Sequence, residues 1–191
     1  MRRPVHLTSV HNKPGRALTN MQPAERKRFF MTNEELGSLI LASQGSLYRV
    51  AKTILSDDDD CYDAIHEAIV KAFSGLDSLR NDSYAKTWLT RILINECYMI
   101  LRRRNKVILS EDIPEQKIYE QPDHSDLYEA VAGLPAKMRT AVTLYYSEGF
   151  SVKEIADITE STESAIKNRL FRARTRLRQT LERDEQEVTD K

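Results

Sequence analysis

Long apolar runs are missing from this chain: no stretch approaches membrane-spanning length, and the N-terminus has no hydrophobic leader segment. The expectation is a cytoplasmic protein that makes no membrane contact of its own. Cysteine is almost absent. Cys61 and Cys97 stand far apart within helical patterns, with no zinc-like spacing, so reduced and packed thiols are expected. Six glycines, six prolines and 7% aromatics argue against a β-sandwich or barrel. There is no Gly-rich phosphate loop, and no nucleophile accompanies a convergent acid–base pair. The four acids Asp57–Asp60 lack the spacing, the turn glycine and the distal Glu of a calcium loop. Just before a helix they instead meet its positive end. No catalytic residue, metal or cofactor is expected.

Leu, Ile, Ala, Arg and Glu do recur at helical spacing through most of the 191 residues, which points to an all-α protein. The length suits one medium domain or two small ones. Lys and Arg together number 29, as do Asp and Glu, but the zero net charge hides an asymmetry. Cations gather before residue 31, around Arg102–Lys106 and over Lys167–Arg178, and acids fill the segments between. That distribution points to nucleic acid better than the total does.

The most informative stretch is Ser151–Arg178. Ser151 with Glu154 forms a capping box that opens a short helix carrying Val152, Ile155, Ala156 and Ile158. The polar run Thr159-Glu160-Ser161 interrupts it, and Thr162 can cap a second helix. There Ile166, Leu170, Ala173, Leu177 and Leu181 form a narrow core stripe. The other face holds Ser164, Lys167, Asn168, Phe171 and Arg172, and no acid occurs from Ala165 to Arg178. A merely solvated helix usually mixes Glu with Lys. An acid-free run of cations after a capped short helix and a turn reads as a helix-turn-helix. The first half of its second helix would meet base edges, and the later arginines would meet phosphates.

Upstream, residues 1–31 read as a disordered basic tail broken by Pro4, Pro14, Gly15 and Pro23. From residue 32 to 104 helix follows helix. Leu36 to Leu55 marks two helices, or one long helix bent near Gly45. A helix near Cys61–Phe73 buries Ile65, Ala68, Ile69, Ala72 and Phe73 and shows Asp63, His66 and Glu67 outside. After a polar connection, a long helix from about Tyr84 to Arg104 carries the polar stripe Thr87, Arg91, Asn95, Tyr98, Arg102. By spacing alone that stripe is equally a DNA contact or a solvated face. Residues 105–124 read as a flexible linker. Residues 125–182 supply two further helices under the helix-turn-helix, with Leu127, Val131, Leu134, Met138, Val142, Leu144 and Tyr145 as candidate packing residues, and 183–191 form a charged tail.

Taken together the chain resembles the extracytoplasmic-function group of sigma-70-family sigma factors, the promoter-specificity subunits of bacterial RNA polymerase. LYRVAKTIL at Leu47–Leu55, DCYDAIHEAIVKAF at Asp60–Phe73 and TWLTRILINECYMILRRR at Thr87–Arg104 resemble sigma region 2. LPAKMRTAVTLYYSEGFSVKEIA at Leu134–Ala156, followed by AIKNRLFRARTRLR, resembles sigma region 4. The resemblance implies two small helical domains joined by a linker, no enzymatic activity, and core RNA polymerase, promoter DNA and an anti-sigma factor as partners. It implies that Asp63, His66 and Glu67 dock the polymerase. Arg80, Asn81, Ser83, Lys86, Thr87, Arg91 and Asn95 would read and open the −10 element. Ser164, Lys167, Asn168, Phe171 and Arg172 would read the −35 element. The chain departs from the family at Tyr62 and His66, and at Thr159-Glu160-Ser161, where the family has an apolar-Gly-apolar turn. The rival readings are a stand-alone helix-turn-helix regulator and a metal-dependent hydrolase built on Asp57–Asp60, Asp63, His66 and Glu67.

Overall fold

The computed structural model describes residues 31–108 and 126–189, all of whose regular elements are helical. Residues 1–30, which hold nearly all of the basic tail, residues 109–125, which hold most of the linker, and the last two residues lie outside them. The N-terminal half holds α1 (Asn33–Lys52), α2 (Asp58–Ser74) and α3 (Ala85–Ile108), each packed on the other two. In the C-terminal half α4 (Asp126–Ala132), α5 (Ala136–Val142) and α6 (Val152–Ile158) pack against α7 (Glu163–Thr189). One hydrophobic cluster runs through both halves, from Leu36, Leu89 and Leu93 to Leu144, Ile155 and Ile166.

Local chemistry explains the helix starts. Thr32 and Glu35 close a reciprocal capping box on α1, as Ser151 and Glu154 do on α6. Asp57 accepts from the amides of Asp59 and Asp60, and Asp58 to Asp60 occupy the first turn of α2. The acidic run is thus a cap and a counter-charge to the helix dipole. Asp58 is further engaged by Lys52 and Tyr48, and Asp60 by Arg104. These bonds hold the Asp58 carboxyl below its ordinary range, and the bond Tyr48 donates to Asp58 raises the phenol well above its own. Among the described residues, no group of three or more His, Cys, Asp or Glu is arranged to hold a metal. No helix among them is long and apolar enough to cross a membrane.

Of the two readings of Leu36 to Leu55, the single long helix holds: α1 is continuous, because Gly45 costs only about 1 kcal/mol in a helix anchored by Ile40, Leu47 and Val50 on either side. Other expectations need correction. α2 buries its small residues Cys61, Ala64, Ala68 and Ala72, which let α1 and α3 approach closely. Ile65 and Ile69 are therefore only half-buried at the flanks, and Phe73 is exposed. In the C-terminal half Leu127 and Tyr145 point outward. The chain widens into a π-helical turn at Thr143–Ser147, which keeps Leu144 inside and turns Tyr145 and Tyr146 out. α3 and α7 also run past the expected ends, to Ile108 and Thr189, since neither glycine nor proline interrupts them.

Candidate nucleic-acid interface

The helix-turn-helix is built from α6, the turn Thr159–Thr162 and α7. Thr162 Oγ1 accepts from the Ala165 amide at 3.1 Å, starting α7. Ile166, Leu170 and Ala173 are buried against α5 and α6. That stripe fixes the roll of the helix, so Ser164, Lys167, Asn168, Phe171 and Arg172 all face outward and are exposed. Phe171 is 63% exposed, a costly position for a large ring unless a partner covers it. Lys167 makes only a 4.0 Å contact with Glu163 one turn away, and Arg174, Arg176 and Arg178 continue the basic surface. The outer face carries hydrogen-bond donors, an amide and an apolar ring within the reach of one groove.

The turn has an unexpected member. The amide of Ser161 bonds the carbonyl of Ala156 at 2.9 Å, closing the end of α6 in a Schellman-type loop. Its left-handed position is held by Glu160, at φ 49°, where glycine is the usual residue.

The second predicted set lies between the halves. Arg80, Asn81, Tyr84, Thr87, Trp88 and Arg91 line a cleft of about 520 Å³ whose far wall is Ala156, Asp157, Glu160 and Ser161. Asn81 Oδ1 accepts from the amide and hydroxyl of Ser83, shaping the 3-10 turn Asp82–Tyr84 ahead of α3. Thr87 is buried, its hydroxyl donating to Glu154 at 3.3 Å. Arg91 pairs with Glu160 at 2.8 Å. Lys86 reaches the carbonyl of Glu148 at 3.1 Å and lies 4.8 Å above the ring of Phe150. Asn95 is exposed and shares a second inter-half cavity, of about 410 Å³, with Tyr98, Arg102, Lys137 and Arg169. The polar stripe of α3 is therefore a face turned toward the helix-turn-helix.

The third set, Asp63, His66 and Glu67, is exposed on the outer side of α2. It borders a groove shared with Lys71, Glu96, Met99 and Arg103, where Lys71 and the buried Glu96 pair at 2.7 Å. The same helix face exposes Tyr62, Val70 and Phe73, giving a surface of mixed apolar and acidic character.

Comparison with known proteins fits this division. "Sigma-70 region 2" matches residues 39–107, and "Sigma-70, region 4" matches residues 124–177. RNA polymerase sigma factor SigV of Bacillus subtilis is 31% identical over 146 residues, 74% of this chain and 88% of that protein. The chain belongs to the sigma-70 family. The relatives include extracytoplasmic-function (ECF) factors: the ECF RNA polymerase sigma factor SigM of Mycobacterium tuberculosis is 30% identical over 142 residues, covering 71% of each chain. The fold is similar to that of the sigma factor RpoE from Bartonella quintana, crystallised with the anti-sigma factor NepR. There the TM-score is 0.70 at 28% identity, over 78% of this chain and 98% of that one. As a sigma factor the chain binds core RNA polymerase and promoter DNA through its region 2 and region 4 domains, and is not an enzyme.

Sequence reasoning did not find the acids that join the two domains. Glu148, Glu154 and Glu160 look like ordinary surface or capping acids by pattern. The usable signal was Glu160 itself, an acid in a helix-turn-helix turn where a left-handed residue is required.

Proposed function

We propose that this sigma factor divides promoter reading between its domains. α7 enters the major groove of the −35 element with Ser164, Lys167, Asn168, Phe171 and Arg172, and Arg174 to Arg178 rest on phosphates. Arg80, Asn81, Ser83, Lys86, Thr87, Arg91 and Asn95 take the −10 element, where a cleft lined by hydroxyl, amide, guanidinium and aromatic groups suits an unstacked base of a single strand. Asp63, His66 and Glu67 dock core polymerase. Because one chain holds two promoter elements, each contact raises the effective concentration of the other. The observation that carries the reading is the outward face of α7: five groups suited to base contact, all exposed, on a helix whose opposite stripe is locked into the core.

An anti-sigma protein is part of this proposal, supported by NepR bound to the similar Bartonella factor. Work with polymerase and promoter DNA puts the chain in the cytoplasm. The test is co-elution of the purified protein with core RNA polymerase, followed by transcription from its own upstream DNA. Stoichiometric association with promoter-specific transcripts is expected. Specific duplex binding by the protein alone, with no core association, would overturn the docking and melting roles. An added anti-sigma protein is expected to abolish the co-elution.

A further inference from the structure

The closed arrangement and strand reading exclude each other. Thr87 is buried beneath α6, Lys86 is tied to the backbone of Glu148, and Arg91 is occupied by Glu160. Each contact comes from an acidic residue of region 4 on a polar or cationic residue of region 2. Glu148 is the centre of the seam. Its side chain is buried, accepts from Ser46 Oγ, and pairs with Arg49 at 2.9 Å. Also across the domain boundary, the hydroxyls of Thr53 and Thr140 meet at 2.9 Å, and Arg139 donates to the Thr53 carbonyl at 2.9 Å.

Glu160 adds an independent observation. It occupies a left-handed position that costs an L-residue energy and costs glycine none. Its carboxylate pairs with Arg91, across the domain boundary, rather than with a group of the helix-turn-helix.

We propose that Glu148, Glu154 and Glu160 form an internal clasp that holds this sigma factor shut over Lys86, Thr87 and Arg91: the carboxylates of Glu154 and Glu160 stand where a DNA strand would otherwise bind, and that of Glu148 anchors the seam to Ser46 and Arg49. The clasp rests on the assignment of those three residues to the −10 element. Exposed ion pairs are individually weak. Because the domains share one chain, the seam forms at an effective concentration on the order of millimolar, and weak contacts suffice. Salt screens the exposed Arg91–Glu160 pair and spares the buried Glu148 contacts.

Energy transfer between dyes on Ser38→Cys and Gln179→Cys of the full chain, without polymerase, reads closure directly. Cys61 and Cys97 are buried and remain unlabelled. Glu160→Gly relieves the turn and removes the pair, so it is expected to lower the closed fraction several-fold without lowering the melting temperature. Arg91→Glu combined with Glu160→Arg is expected to restore closure, which a purely local role for either residue would not produce. A random-sequence single-stranded 20-mer is the DNA probe, and Glu160→Gly should bind it several-fold more tightly than wild type. Unchanged energy transfer in both Glu160→Gly and Glu148→Gln would overturn the clasp. Opening with no gain in strand binding would overturn the masking, and with it the −10 assignment of Arg91.

Discussion

Lys167 and Arg172 stand exposed on the outward face of α7, and among the described residues Lys167 makes only a 4.0 Å contact with Glu163. Replacing either by alanine is expected to cost about 1–3 kcal/mol at the −35 bases it reads, with core binding intact. Gel-shift titrations on matched and mismatched −35 duplexes check this, and equal loss on every sequence would reduce these residues to phosphate contacts. The cysteines show the opposite condition. Burial pushes the Cys61 thiol up to about 11 and the Cys97 thiol up to about 12. Both are expected to resist a thiol-titrating disulfide reagent at pH 7.5 in the native protein and to react together in guanidinium. Rapid native labelling would show that the region 2 core opens far more easily than its packing implies.

Helix boundaries carry the next level of specification. Caps legible in the sequence mark two of the starts: Ser151 with Glu154, and Thr162, act where their spacing predicts. Asp57→Ala should destabilise the protein by about 1 kcal/mol through the lost α2 cap. Asp57→Asn, which keeps an accepting oxygen, should lose less. Urea unfolding separates the two, and equal losses would mean that charge rather than the bond to the backbone matters. What periodicity could not reveal was the depth of each face. Ala64 and Ala68 are buried because α1 and α3 close on them, while the larger Phe73 is left outside. A helical wheel ranks residues by hydrophobicity, whereas close helix approach selects small ones. The π-helical turn at Thr143–Ser147 escaped for a similar reason, since an extra residue in a turn leaves the local sequence ordinary and shifts everything after it.

The whole molecule adds what neither residue nor element contains, a seam between two domains. Burial favours the neutral acid of Glu148, but hydrogen bonds from Ser46 and Arg49 outweigh it and bring the carboxyl below its ordinary 4.5. A depressed carboxyl contributes stability fully above its unfolded value and loses it as pH falls through the folded one. Closure is therefore expected to be independent of pH between 6 and 8, on the scale of these carboxylates, and to weaken on acidification below about 4.5. Energy transfer across the seam measures it, and opening already at pH 6 would point to a different group. At the opposite surface, Glu67→Lys reverses an exposed charge on α2 and is expected to weaken core binding. Unchanged affinity for core would remove Glu67 from that interface.

The sequence by itself determined the all-helical class, the helix-turn-helix and the outward face of α7. Each rests on local spacing: caps, a 3.6-residue period and an acid-free cationic run are complete within a few turns. Only the tertiary structure decided that Thr87 is buried, that Arg91 faces an acid, and that Glu160 spends a left-handed turn position on a contact 69 residues away. Those facts depend on which surfaces of two separate domains meet. A pairing of that kind, between Arg91 and Glu160 or Ser46 and Glu148, leaves no periodic trace in the chain that makes it.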